Sequence, residues 1–67
     1  MAAQYALSPR EQEVLALMVK GMTDRQIGDA LFISHATART HVGRVLQKLD
    51  ARNRAAAVRK ALEHQLV

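Results

Sequence analysis

Sixty-seven residues without a cysteine can form only one small domain with a thin core, and they exclude disulfide bonds and thiolate metal sites. The N-terminus has no basic start followed by an apolar run, and no apolar stretch approaches the ~20 residues that span a bilayer, so we expect a cytoplasmic protein. The net charge is +4, and residues 35–60 hold seven of the ten basic residues but one of the six acidic residues. Such segregated positive charge indicates a polyanionic partner, nucleic acid before an anionic membrane.

Helix signals are dense along the chain, whereas the alternation of apolar and polar residues that is typical of strands is missing. The sequence therefore predicts an all-α fold, a four-helix bundle with a central helix-turn-helix. The predicted helices lie at about 8–20, 23–31, 34–49 and 53–64. Residues 1–6 are expected to be a flexible leader, and residues 7–67 to form the domain.

Two capping boxes mark the starts of the first two helices. Ser8 is followed three positions later by Glu11, and Thr23 is followed in the same way by Gln26. Gly21 supplies the stop that ends the first helix. The predicted buried residues are Val14, Leu15, Leu17 and Met18 in the first helix and Ile27, Ala30 and Leu31 in the second.

The third and fourth helices have caps of their own at Ser34 and Asn53. At 100° per residue, one narrow side of the third helix collects four apolar residues, the width of a core-facing seam. These residues are Ala38, Val42, Val45 and Leu49. The inner face of the fourth helix is predicted to be Ala57, Val58, Ala61 and Leu62.

The connection between the second and third helices is short, with Phe32 and Ile33 between the last helical residue and the Ser34 cap. Helices joined this tightly cross steeply, as in a helix-turn-helix. Gly28 lies inside the second helix, where glycine costs ~1 kcal/mol relative to alanine. We expect a close approach of the third helix at Ala38 to offset that cost.

Residues 7–58 read LSPREQEVLALMVKGMTDRQIGDALFISHATARTHVGRVLQKL followed by DARNRAAAV. This segment resembles the C-terminal DNA-binding domain of LuxR-type (NarL/FixJ-type) transcription regulators. The resemblance covers residues 7 to about 62 without a gap. It implies a four-helix domain that binds promoter DNA, with the third helix in the major groove and the fourth against a partner subunit. In the family this domain usually follows a receiver, autoinducer-binding or ATPase module, so the chain resembles an isolated effector domain.

The outward side of the third helix carries small residues and arginines but no acid, which suits a helix that lies deep in a groove and meets phosphates and base edges. The predicted base contacts are Arg39, Thr40, Arg44, Gly43 and Ala36, with phosphate as the open alternative for the two arginines. The predicted phosphate contacts are Arg25, Thr23, Ser34, Thr37, His41 and Lys48; for His41 a packed, hydrogen-bonded side chain is favoured and phosphate contact comes second. Where some relatives place a base-reading lysine, this chain has Gly43, so the DNA site should differ from theirs.

The fourth helix presents small residues that suit a helix-helix contact across a two-fold axis, so Ala55, Ala56 and Arg59 are predicted to form the dimer surface. The expected partners are promoter DNA, a second copy of the chain and RNA polymerase. Two other functions remain open: a module similar to sigma region 4, and a protein-interaction module.

Catalysis and metal binding have no support in the pattern. His35 and His41 are six positions apart, about 120° around a helix, and cannot act together as ligands four positions apart do. We therefore expect no enzyme activity, no cofactor, no metal and no small-molecule ligand.

Overall fold

A computed structural model describes residues 5–67, and this part of the chain forms four α-helices and no strand. The helices are α1 (Pro9–Val19), α2 (Asp24–Leu31), α3 (His35–Lys48) and α4 (Arg54–Glu63). The all-α prediction is confirmed, and each predicted helix end lies within one residue of the observed end. No helix among these residues is long and apolar enough to cross a membrane.

The predicted leader falls partly outside the described residues, which begin at Tyr5. The Tyr5 ring meets the His64 ring edge-on, with 6.1 Å between the ring centroids. Tyr5 is half-buried against the core. The carbonyl of Ala6 accepts a hydrogen bond from the Lys48 side chain at 3.0 Å.

The predicted helix caps are present in the structure. In α1 the Ser8 hydroxyl accepts from the Glu11 amide at 3.1 Å, and Glu11 Oε1 accepts from the Ser8 amide at 2.9 Å. Thr23 and Gln26 form the same reciprocal pair at α2. Gly21 follows α1 with a φ of +86°, a left-handed conformation that glycine adopts without a steric penalty. The positions of the helix ends along the chain therefore follow from short-range sequence signals.

The core lies where α1 packs against α3 and α4, and the whole predicted seam of α3 is buried. Two predictions of burial are wrong, because Ala30 is exposed and Leu62 is 57% exposed. The chain after α4 explains the second error. Gln65 adopts a φ of +54°, and the Leu66 amide donates to the Ala61 carbonyl at 2.8 Å. This turn brings Leu66, which is 2% exposed, into the core in place of Leu62.

The turn between α2 and α3 is held tightly against α2. Phe32 ends α2 in a left-handed conformation with its side chain 95% exposed, and the Ile33 amide donates to the Gly28 carbonyl at 2.9 Å. Gly28 is buried in a close approach, as the sequence predicts, but the atoms nearest to it belong to Ile33, Ser34 and His35 rather than to Ala38. A Cβ at Gly28 would lie 3.0 Å from both the His35 ring and the Ile33 carbonyl oxygen. The absence of a side chain therefore accommodates the turn rather than the middle of α3.

Replacing Gly28 by alanine should destabilise the domain, although alanine is the better helix former by ~1 kcal/mol. The added methyl would press on the carbonyl oxygens of Ile33 and Ser34, at 3.0 and 3.3 Å, and the hydrogen-bonded turn cannot easily move away. Overpacking of this kind costs about 1–3 kcal/mol, so after the gain in helix propensity we expect a net loss of up to about 2 kcal/mol in urea unfolding.

Gly43→Ala is the matched control, because nothing lies within 4 Å of a Cβ built at Gly43 in the middle of α3. That substitution should gain up to ~1 kcal/mol from helix propensity. Equal effects of the two alanines, in either direction, would contradict the close approach at Gly28.

One acidic side chain, Glu11, is buried in the domain, and Lys48 at the end of α3 neutralises it. The Lys48 Nζ atom lies 2.7 Å from Glu11 Oε1, and the Glu11 side chain is 5% exposed. The hydrogen bond from Lys48, followed by that from the Ser8 amide, lowers the pKa of Glu11 below its ordinary value of 4.5. The pair joins the first turn of α1 to the last turn of α3.

The lowered pKa of Glu11 makes part of the stability depend on pH. Because the pKa is lower in the folded state than in the unfolded state, the contribution is complete above pH 4.5 and is lost as the pH falls through the folded pKa. We expect the difference in unfolding free energy between the wild type and Glu11→Gln to shrink on acidification below pH 4.5. A difference that stays constant in that range would contradict this ionised pair.

Candidate nucleic-acid interface

The outward face of α3 is an open surface with basic residues and no acid. The five predicted base contacts are all exposed, and they are Ala36, Arg39, Thr40, Gly43 and Arg44. Gln47 lies exposed beside them. Because Ala36 and Gly43 have small or no side chains, the middle of the face is low. Because the seam on the opposite side of α3 is buried in the core, this face must point away from the domain.

The threonine in the middle of this face uses its hydroxyl proton within the helix. The Thr40 hydroxyl donates to the Ala36 carbonyl at 3.1 Å, one turn earlier in the same helix. The methyl group and the acceptor lone pairs of the hydroxyl therefore remain for contact with a partner. Apolar contact of a threonine methyl is one of the ways in which proteins recognise thymine in the major groove.

Four of the predicted phosphate contacts are exposed at or near the starts of α2 and α3: Thr23, Arg25, Ser34 and Thr37. Ser34 caps α3, since its hydroxyl accepts from the Thr37 amide at 3.0 Å and donates to the Thr37 hydroxyl at 2.8 Å. Helix starts carry free amide groups and a partial positive charge, which favour phosphate.

The other two predicted phosphate contacts have different surroundings. His41 is half-buried, and its Nδ1 atom is buried without a hydrogen-bond partner among the described residues. The Lys48 ammonium group is engaged by Glu11 and the Ala6 carbonyl. The structure thus gives Lys48 a partner within the domain, and its contact with phosphate stays a prediction.

An ion-pair chain that sequence reasoning missed connects α4, α2 and α3. Arg54, in the first turn of α4, donates to Asp24 Oδ1 and also to the Met22 carbonyl, the latter at 3.0 Å. The other oxygen of Asp24 lies 3.8 Å from Nε of Arg39. The only sequence signal at Asp24 is its favourable position at the start of α2. Its two arginine partners lie far along the chain and are brought together only by the packing of the helices.

The outer side of α4 is the second exposed surface. Ala55 and Arg59 are exposed, Ala56 is half-buried, and Leu62 shares the side of Ala55 and Arg59 at a spacing of three and four residues. An open depression of about 480 Å³ lies between this surface and the α3–α4 connector. Its lining has charges of both signs, from Asp50, Arg52, Arg59, Lys60 and Glu63.

The described part of the chain holds no group of three or more His, Cys, Asp or Glu side chains that could bind a metal ion. Its titratable groups are dispersed in ion pairs or on the surface. The exposed face of α3 carries hydrogen-bond donors and positive charge on Arg39 and Arg44.

Two packed helices joined by a tight turn, with the second helix exposed along one basic face, are typical of the class of helix-turn-helix domains. A family model described as bacterial regulatory proteins, luxR family, matches residues 5–61. The chain therefore belongs to this family.

Curated relatives agree with this assignment. The chain is 42% identical over 60 residues to the transcriptional regulatory protein DegU of Brevibacillus brevis, covering 90% of the chain and 25% of DegU. It is 40% identical over 62 residues to the transcriptional regulatory protein LiaR of Bacillus subtilis, covering 92% of the chain and 29% of LiaR. The chain thus spans less than a third of the length of these relatives.

Two solved structures share the fold. The response regulator ChrA of a heme-sensing two-component system superposes with a TM-score of 0.86 at 42% identity, over 92% of this chain and 31% of ChrA. The transcription factor GerE superposes with a TM-score of 0.80 at 32% identity, over 90% of each chain. The chain is a LuxR-family DNA-binding helix-turn-helix domain of the type found in response regulators.

Proposed function

We propose that this domain binds specific promoter sequences as a homodimer, with α3 in the major groove, and so regulates transcription in the bacterial cytoplasm. The observation that carries the proposal is the outward face of α3. It is exposed, contains no acid, is low in the middle and has Arg39 and Arg44 beside the low part. A helix with these properties can approach base edges closely while its guanidinium groups meet guanine or phosphate.

Within this proposal, the exposed residues of α3 divide by the DNA group that each can reach. Arg39 and Arg44 have the fork of donors that fits guanine O6 and N7, and Thr40 offers a methyl group to thymine. Ala36 and Gly43 offer no side-chain hydrogen bonds, but their small size lets the helix backbone come close to the bases. Thr23, Arg25, Ser34 and Thr37 surround the starts of α2 and α3, where contacts with phosphate would fix the register of the helix on the DNA.

Dimerisation is proposed through the outer side of α4. Ala55 is small enough to let two helices approach closely, Arg59 can pair with acids of a second copy, and Leu62 is exposed although it is apolar. A two-fold dimer would read two half-sites separated by about one turn of DNA, roughly 10 base pairs. Activation would further need a contact with RNA polymerase, for which the exposed ring of Phe32, in the turn before α3, is suitable.

Selection of bound duplexes from a random pool tests site-specific binding. We expect a defined motif with two related halves to be enriched, and native mass measurement of the selected complex to give two chains per duplex. Equal affinity for selected and random duplexes would contradict specific binding. Enrichment of a single site that binds one chain per duplex would contradict only the proposed dimer, and specific binding would stand.

A further inference from the structure

We propose that Asp24 is a positioning residue that sets the base preference of Arg39, and that Arg54 holds Asp24 in place for this role. The inference rests on the proposed function, since it concerns how the domain selects DNA rather than whether it binds DNA. It is carried by the ion-pair chain that joins the first turn of α4, the first turn of α2 and the exposed face of α3.

The position of the Asp24 carboxylate is fixed from two sides. Its backbone begins α2 inside the Thr23 capping box, which sets the direction of the first turn. Arg54 binds Oδ1 through Nη2, while its Nη1 donates to the Met22 carbonyl, so the guanidinium group fastens the carboxylate to the α1–α2 loop. Asp24 is 27% exposed in this arrangement. Because Arg54 neutralises it, the acid can lie beside a DNA-binding face without adding a free negative charge.

The remaining oxygen of Asp24 faces the side of Arg39. Oδ2 lies 3.8 Å from Nε, whereas the Arg39 side chain is otherwise 78% exposed. A carboxylate at Nε leaves the four N–H groups of Nη1 and Nη2 unused, and these form the fork that fits guanine O6 and N7. At 3.8 Å the two groups form an ion pair that is longer than a hydrogen bond, and its closing when DNA covers the face would hold the fork in one orientation.

The attraction between Asp24 and Arg39 should be stronger in the complex with DNA than in the free domain, so its effect should be measured on DNA. An ion pair as exposed as this one contributes little in the free protein, because water screens it. When DNA covers the face and water is displaced, the same pair of charges interacts more strongly. Asp24 should thus act on the discrimination between bases more than on the stability of the free domain.

The experiment compares Asp24→Asn with Asp29→Asn, using the full chain and the duplex selected from the random pool. Asp29 is the matched control because it lies on the same helix, contacts His35 rather than an arginine, and loses the same charge. Affinities are measured for the selected duplex and for the three duplexes changed at the base pair at which Arg39→Ala loses its preference. We expect Asp24→Asn to lower the preference at that base pair by about five-fold or more, and Asp29→Asn to leave it unchanged.

Further variants separate positioning from a general structural effect. In an Arg39→Ala background, Asp24→Asn should have no further effect on base preference, and Asp24→Glu should restore most of the preference lost in Asp24→Asn. Both asparagine variants should tighten binding to random duplex equally, because each removes one negative charge. A wild-type preference in Asp24→Asn would overturn the inference while the proposed function stands. Unchanged preference in Arg39→Ala would overturn it as well, and absence of any motif would overturn both proposals.

A measurement on the wild type covers the case in which Asp24→Asn does not fold. The exchange of the Nε–H proton with water is followed by NMR for Arg39 and Arg44 in the complex with the selected duplex. We expect exchange at Arg39 to be several-fold slower, because in the complex the 3.8 Å ion pair should close to a hydrogen bond between the Nε–H and the Asp24 carboxylate. Equal rates at the two arginines would overturn the inference.

Discussion

Replacing Lys48 by methionine should lower the free energy of unfolding by about 3 kcal/mol, the largest effect that we expect from a single change in this domain. The substitution leaves the Glu11 carboxylate, which is 5% exposed, without the ammonium group that lies 2.7 Å away. Removing one partner of a buried pair costs about 3–5 kcal/mol, and the lower figure applies because Lys48 is 38% exposed. Urea unfolding monitored by circular dichroism measures the effect, and the melting temperature should fall by about 15 °C.

Two variants make this expectation specific. Lys20→Met removes the same charge from an exposed lysine at the end of α1 and should change stability by less than ~0.5 kcal/mol. Glu11→Gln combined with Lys48→Met removes both charges, so it should recover much of the loss of the single variant. A cost below ~1 kcal/mol for Lys48→Met, as for an ordinary surface pair, would contradict the role given to Lys48.

The same double variant separates the two roles of Lys48. If Lys48 also contacts phosphate, the double variant should bind all duplexes more weakly, with the slope of log affinity against log salt reduced by about 0.9. If Lys48 acts only within the domain, the slope should not change. Lys48→Met alone cannot make this distinction, because loss of folded protein would also weaken binding to every duplex.

Replacing Arg39 by alanine should remove the discrimination at one base pair of the selected site while the domain stays folded. A bidentate arginine–guanine contact contributes about 1–3 kcal/mol of discrimination, which corresponds to about 5- to 150-fold in relative affinity. Arg39 is 78% exposed, so its truncation creates no cavity and should have little effect on stability. Competition between the selected duplex and its single-base variants measures the change.

Arg10→Ala is the control for charge, because Arg10 is an exposed arginine on α1. It should leave the pattern of base preference intact, although it removes the same positive charge. If Arg39→Ala weakened binding to all duplexes equally and kept the preference, Arg39 would be a phosphate contact. The proposed base contact would then be wrong.

Short-range patterns account for what could be predicted of the fold. The capping boxes at Ser8 and Thr23 bring together groups three residues apart, so the sequence alone contains both partners of each hydrogen bond. The seam of α3 is equally local, because four apolar residues at helical spacing must share a side. The exposure of the opposite face, where the candidate site lies, follows directly from that seam.

The features that could not be predicted depend on how distant segments meet. Lys48 and Glu11 are separated by 37 positions, and Arg54 and Asp24 by 30, so no periodicity relates them. Leu62 was assigned to the core because its spacing fits, but the turn at Gln65 delivers Leu66 there instead. Short helices also leave more of their surface uncovered than a pattern suggests, and Ala30 on the eight-residue α2 is an example.

The central claim is that the outward side of α3 enters duplex DNA, and amide chemical-shift mapping during titration with the selected duplex tests it most directly. We predict the largest shifts at Ala36, Arg39, Thr40 and Gly43, with weaker shifts at Thr23, Arg25 and Ser34 and small ones along α1. Large shifts confined to α1 or to the outer side of α4, with these four amides unmoved, would contradict the claim.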